Sequence, residues 1–319
     1  MSLCPYDIYA KTLILGAGGG FDIYACLPWY LQLTKQQKDL CLLANYSFTD
    51  DLYKYETYSN EWIVEINEDT ESTTKNVDYF PEKYLAKSLN KSIYAVRLIP
   101  NPLLEAELNK FVSKHQIKQI ILVDGGVDSC LYGDELSIGS PLEDSQTIIA
   151  CYRVSQHYQL PCKLMCCALH VDEVSVETFI KHWNAMVKQG SDCHKIKLNK
   201  EIFPFDIYKE IVQAPKYASI IHESILASIE GHRGKYQNPR LFPERIDDQK
   251  YMPILHDDTA CLWWLDIAEY VLYSLFYQQL ILCEPMSECR NMDESCIHKL
   301  WSLWNETIRN FWRSKNIHQ

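Results

Sequence analysis

The sequence is short of several things, and each shortage narrows what the chain can be. It has 31 lysines and arginines against 42 acids, a net charge of −11. Without a basic excess, a nucleic acid or an anionic membrane surface is not the expected partner, because such binders carry a positive face. No nearly uncharged apolar run of about 20 residues is present, so no membrane span is expected. The stretch Leu262–Cys283 comes nearest, but it carries Asp266 and Glu269. The opening MSLCPYDIYAK has no basic-then-apolar pattern of a secretory leader. Walker lysine loops, Gly-x-Ser-x-Gly elbows and His-Glu-x-x-His pairs are missing as well.

Cysteine is plentiful, but the thirteen residues form no framework spacing. Several, such as Cys41, Cys166 and Cys167, sit in apolar runs, where a reduced thiol serves as a small hydrophobe. A reducing, cytoplasmic setting is therefore expected. Cys283, Cys289, Cys296 and His298 lack the paired spacing of a zinc site.

Strand-like and helix-like segments alternate through the first half. Apolar runs at Thr12–Leu15, Leu40–Ala44, Trp62–Ile66, Ile93–Leu98, Ile117–Val123 and Lys163–Leu169 read as strands. Amphipathic stretches between them read as helices. The expected fold is α/β: a Rossmann-like, mainly parallel sheet with helices on both faces and a C-terminal helical elaboration. Residues 1–174 are expected to form the core, and 175–319 an α-rich remainder packed on it as one unit.

With only eleven glycines in the chain, their placement is informative. Asp124–Glu143, DGGVDSCLYGDELSIGSPLE, holds four of them together with Asp124, Asp128, Asp134, Glu135 and Glu143, and Asp144 follows directly. Gly125 and Gly126 let Asp124 and Asp128 face one cavity. Paired carboxylates hold Mg²⁺ or a similar hard cation, or divide into acid and base as their charges push their proton affinities apart. A solvated loop with Asx turns is the plain alternative. Asp134 is counted as a further ligand-binding candidate. Ser140-Pro-Leu-Glu143 matches a capping box, so a helix is expected from Pro141, with Glu143 closing the box.

A second loop follows the first strand: Gly16-Ala-Gly18-Gly19-Gly20-Phe-Asp22. Its glycines allow backbone approach to phosphate or ribose, and the helix start beyond favours an anion. Asp22 is a candidate base, or else a helix cap. The dinucleotide fingerprint wants glycine at Phe21, and an acid where the second strand ends in Ala44-Asn45-Tyr46. Two outlying candidates complete the set. His170, with Asp172 and Glu173 at a strand end, is a reserve acid or base. Arg233, in Glu230-Gly-His-Arg-Gly-Lys235, is a possible anion clamp or only a basic helix terminus. Tyr46–Tyr58 reads as an aromatic lid or partner surface.

LGAGGGFD at Leu15–Asp22, VDGGVDSCLYGDE at Val123–Glu135 and GSPLED at Gly139–Asp144 resemble an uncharacterised prokaryotic family of unknown function, DUF1152. The resemblance implies a Rossmann-like fold and brings no reaction. Cysteine and tyrosine are abundant and glycine is scarce outside the motifs, which marks a divergent member. The favoured expectation is a hydrolase or transferase acting on a nucleotide, an ADP-ribose-like compound or another phosphorylated sugar-bearing small molecule. An NAD(P)-dependent oxidoreductase and a catalytically silent nucleotide-binding or sensor protein stay open.

Overall fold

The computed structural model describes residues 3–49, 61–70, 79–171, 174–238, 240, 252–282 and 294–314. Most of the tyrosine-rich stretch before residue 61 lies outside these residues, as do Asp172, Glu173, Cys283 and Cys289.

Among these residues ten strands follow in chain order. They are β1 (Thr12–Gly16), β2 (Cys41–Ser47), β3 (Ile63–Ile66), β4 (Ile93–Arg97), β5 (Gln119–Asp124), β6 (Cys162–Cys166), β7 (His194–Lys197), β8 (Gly234–Lys235), β9 (Ile254–Leu255) and β10 (Cys261–Asp266). Eight form one sheet in the order β3-β4-β2-β1-β5-β6-β10-β7, while β8 and β9 pair separately. The five central strands, β4 to β6 across the sheet, are parallel. At the two sides β3 and β10 run antiparallel to this set, and β7, paired antiparallel with β10 at the edge, returns to its direction. Residues after 174 thus supply two strands of the same sheet.

The uninterrupted apolar runs have a simple cause. A parallel strand is covered on both faces, so both sets of alternating side chains must be apolar. In β5, Ile120 and Leu122 enter one core and Ile121 and Val123 enter the other. The first core is closed by the helices Leu103–His115, Leu142–Tyr158, Val176–Lys188 and Ile267–Tyr273. The second is closed by Leu27–Tyr30, Phe205–Gln213 and Ile220–Ile229. The result is the three-layer α/β architecture expected from the alternation. Among the described residues, no helix is long and apolar enough to cross a membrane.

From β1 the chain steps outward through β2 to β4 in one direction, and from β5 to β6 in the other. The strand order therefore reverses between β1 and β5. At such a point the loops leaving the carboxyl ends of two neighbouring strands diverge and open a crevice.

One local expectation needs correction. The helix expected from Pro141 runs over Leu142–Tyr158, with Pro141 as its N-cap and no side-chain capping bond. The Ser140 backbone N–H donates instead to Asp128 Oδ2 at 3.2 Å. Without a closed capping box, Glu143 is turned toward the crevice.

Candidate functional site at the sheet switch point

Beyond Gly16 the chain stays beside β5, because the Ala17 N–H donates to the Val123 carbonyl at 2.9 Å. The loop then turns through Gly18–Gly20. Gly19 sits at φ +102°, and a Cβ there would lie 2.6 Å from the Tyr46 carbonyl oxygen, so only glycine fits without strain. Asp22 opens the short 3-10 helix Asp22–Cys26, but its side chain does not cap that helix. Its carboxylate accepts the Gly18 N–H at 2.6 Å and the Gly125 N–H at 3.3 Å. One acid thereby ties the two glycine loops together.

Asp124 ends β5 with its side chain buried, accepting from the Ser129 hydroxyl at 2.5 Å. Asp128, four residues on, accepts from Ser140. Asp144 projects from the first turn of the helix Leu142–Tyr158. It is 4 % exposed, and its Oδ1 has no hydrogen-bond partner. One oxygen from each of Asp22, Asp124 and Asp144 lies within 4.8 Å of the others. With Asp128 and Glu143 these acids line a cavity of about 260 Å³, floored by Gly18, Gly19, Gly125 and Gly126 and edged by Phe48 and Ile221. Among the described residues no lysine, arginine or histidine lines it.

Burial raises the proton affinity of every acid in the group, and repulsion from neighbouring acids adds to it for all but Asp128. Burial, then repulsion from Asp128, pushes Asp22 up to about 7, against the lowering effect of the Gly18 and Gly125 N–H groups. Burial lifts Asp124 and Asp144 well above the usual carboxylate range, with Asp128 the next contributor for both. Asp128 and Glu143 are raised as well, first by burial.

A second cleft, of about 200 Å³, adjoins this cavity and shares Asp22, Gly125 and Ile221 with it. Phe21, Tyr79, Tyr217 and His222 give it an aromatic wall. His222 Nε2 lies 3.0 Å from the Phe21 carbonyl, which can only accept, so that nitrogen carries the proton and Nδ1 accepts from Tyr208 at 3.2 Å. Burial lowers its pKa to about 4, so it stays neutral.

The structure thus gathers Gly18, Gly19, Asp22, Asp124, Gly125, Gly126 and Asp128 around one cavity. The other candidates lie elsewhere. Gly16 backs onto the Asn45 side chain, and the Gly20 carbonyl accepts the Asn45 amide at 2.9 Å, so both shape the loop from behind. Asp134 is paired with Lys181 at 2.5 Å and His182 at 2.6 Å on the surface. His170 stacks on His256 with ring centroids 4.0 Å apart. Burial and that neighbour lower its pKa to about 4. Arg233 is held by Asp257 at 2.8 Å and the Ser228 carbonyl at 2.8 Å. Asp144, Glu143 and Ser140 are cavity residues that sequence reasoning did not select. The available signal was the position of Asp144 directly after the acidic stretch, in the first turn of a helix, where side chains lean back toward the N-terminus.

The family model for a protein of unknown function, DUF1152, matches residues 48–238. The chain belongs to that family. The matched segment contains Asp124, Asp128 and Asp144 but begins after Gly16–Asp22, so half of the cavity's loop pair lies outside it. No curated protein matches the chain. Among solved structures, that of the antimicrobial reagent A40926 pseudoaglycone deacetylase Dbv21 is similar at a TM-score of 0.36 and 8 % identity. That likeness covers 81 % of this chain and 98 % of the other, and it is too low to carry a reading of function.

Proposed function

We propose that this chain is an enzyme, a hydrolase or transferase, acting on a nucleotide, an ADP-ribose-like compound or another phosphorylated sugar-bearing small molecule. The observation that carries the reading is the set of five carboxylates in one cavity, with no cationic side chain among the described residues that line it, where the strand order reverses. Burying unpaired acids costs stability, and such clusters of perturbed groups concentrate at functional sites.

Each part of the site has a place in this reading. Carboxylates accept hydrogen bonds from sugar hydroxyls. The backbone of Gly18–Gly19 and Gly125–Gly126 allows close approach of a bulky polar group. The aromatic cleft beside Asp22 suits the ring end of the same molecule, since aromatic walls stack on flat or apolar ring faces. Asp128, which lines the same cavity and whose proton affinity burial raises, takes a proton from an attacking water or hydroxyl, a contribution of roughly 10²–10⁴ in rate. Hydride transfer is less favoured. β2 ends without an acid to hold a ribose, and its Asn45 amide is committed to the Gly20 carbonyl and to Glu82.

A thermal-shift screen of nucleotides, nucleotide sugars and sugar phosphates, each with Mg²⁺, tests this reading. Wild type should be stabilised by at least one class, by about 2.7 kcal/mol at a hundredfold excess over Kd. An Asp124→Asn, Asp128→Asn double variant should lose that shift. Equal shifts in both proteins, or none in wild type, would count against it.

A further inference from the structure

We propose that Asp22, Asp124 and Asp144 hold a hard divalent cation, Mg²⁺ or Mn²⁺, at the inner end of the acidic cavity. This assigns the cation of the site just described and rests on that cavity being functional. The sequence pointed to Asp124 and Asp128. The structure moves the ligand set, because Asp128 is turned to the Ser140 N–H while Asp144 stands in its place.

Two independent observations support the assignment. The first is convergence. Three carboxylates from three separate elements, the loop after β1, the end of β5 and the start of the helix Leu142–Tyr158, bring one oxygen each within 4.8 Å. An octahedral cation with oxygens at about 2.0–2.1 Å spaces its ligands about 3–4 Å apart. Shifts of an ångström or less would close the set. The second is the state of Asp144. Its Oδ1 is buried and has no donor, a condition that costs about 1–3 kcal/mol unless something supplies the missing contact. Among the described residues, no basic side chain lines the cavity to supply it.

The neighbouring residues fit the same purpose. A Cβ on Gly18 would lie 2.5 Å from Asp144 Oδ1 and 2.6 Å from its Oδ2. Glycine is therefore what lets this carboxylate reach inward. Asp22 is held in place by the Gly18 and Gly125 N–H groups, each taking one lone pair and leaving others for a metal. The donors are all carboxylate oxygens, with no imidazole or thiolate among them. That selects a hard cation over zinc. A cation there also removes the obstacle to phosphate. Without one, the acids and the substrate repel each other; with one, the cation lies between them.

Electron paramagnetic resonance of free Mn²⁺, titrated into the full chain without any substrate, tests the site directly. Wild type should bind one ion per chain, displaced by Mg²⁺. Asp144→Asn and Asp124→Asn should each weaken binding by at least about tenfold, since even outer-shell partners are worth 10–100-fold. Asp134→Asn, on a surface ion pair, should bind as wild type does. Circular dichroism establishes that each variant is folded. If Asp124→Asn is not, Asp144→Asn carries the test, because it replaces a group whose Oδ1 has no partner. No bound Mn²⁺ in wild type, or unchanged binding by Asp144→Asn, would overturn the assignment. Binding of Mn²⁺ with no stabilisation by any nucleotide or sugar phosphate would instead remove the substrate reading and leave the cation site standing.

Discussion

Gly18 and Asp144 meet across the cavity so closely that a single Cβ on Gly18 would stand 2.5 Å from the Asp144 carboxylate. The contact joins the loop after β1 to the helix after β5. Gly18→Ala should therefore push Asp144 out of the cluster. We expect Mn²⁺ affinity to fall by about tenfold or more while the far-UV circular dichroism stays that of wild type. Unchanged affinity would mean that the carboxylate can move aside without leaving the site.

The pH dependence has a definite sign. Asp22 and Glu82 are both pushed up to about 7, in each case first by burial. A carboxyl with a raised folded-state pKa binds its proton more readily folded than unfolded. The stability it contributes is fully present below about pH 4 and is lost as pH rises through about 7. In the presence of a chelator the unfolding midpoint should thus fall between about pH 4 and pH 7. Saturating Mg²⁺ should flatten or reverse that fall, because the cation takes the place of protons. Asp22→Asn should remove part of the slope and leave the part due to Glu82. Midpoints from differential scanning fluorimetry across this range decide the matter.

Asn45 ties the loop after β1 to the helix Pro81–Leu89 from behind. Its amide donates to the Gly20 carbonyl at 2.9 Å and to the buried Glu82 carboxyl at 2.6 Å. Asn45→Ala should cost about 2–3 kcal/mol, the sum of a lost bond and a buried acceptor left without it. Urea unfolding measures the loss. The same variant should raise the proton affinity of Glu82 further, since the Asn45 bond now lowers it.

Arg233 and His170 provide the contrast. Both are engaged away from the acids, Arg233 with Asp257 and His170 with His256. Arg233→Ala should leave Mn²⁺ affinity unchanged and alter stability by no more than about 1 kcal/mol, as exposed ion pairs do. His170→Ala should likewise leave Mn²⁺ affinity within about twofold of wild type. A tenfold loss in either variant, read by the same titration, would mean that the site extends beyond the cavity described.

The strands were legible because a parallel strand covered on both faces must be apolar along its middle, as in Ile120–Val123 of β5. The two glycine–acid loops were legible because each follows such a strand directly. Asp144 was hidden by the Ser140-Pro-Leu-Glu143 pattern, which suggests a capped helix. The helix begins one residue later than that pattern implies, and Asp128 takes the Ser140 N–H that the box would have shared. His170 and Arg233 misled for another reason. Sequence places a residue at a strand end or in a loop but does not fix where its side chain turns. His170 sits in the left-handed region at φ 80° and stacks on a histidine far along the chain. Arg233 is claimed by Asp257, which no local pattern announces.

The central claim is that chemistry takes place in the acidic cavity. Its most direct test is turnover, with Mg²⁺, of whichever nucleotide or sugar phosphate stabilises the protein, by wild type and by Asp124→Asn, with products followed by mass spectrometry. The account predicts product from wild type and a loss of roughly 10²-fold or more in the variant. Equal turnover by the two proteins, or no product from any compound that binds, would contradict it.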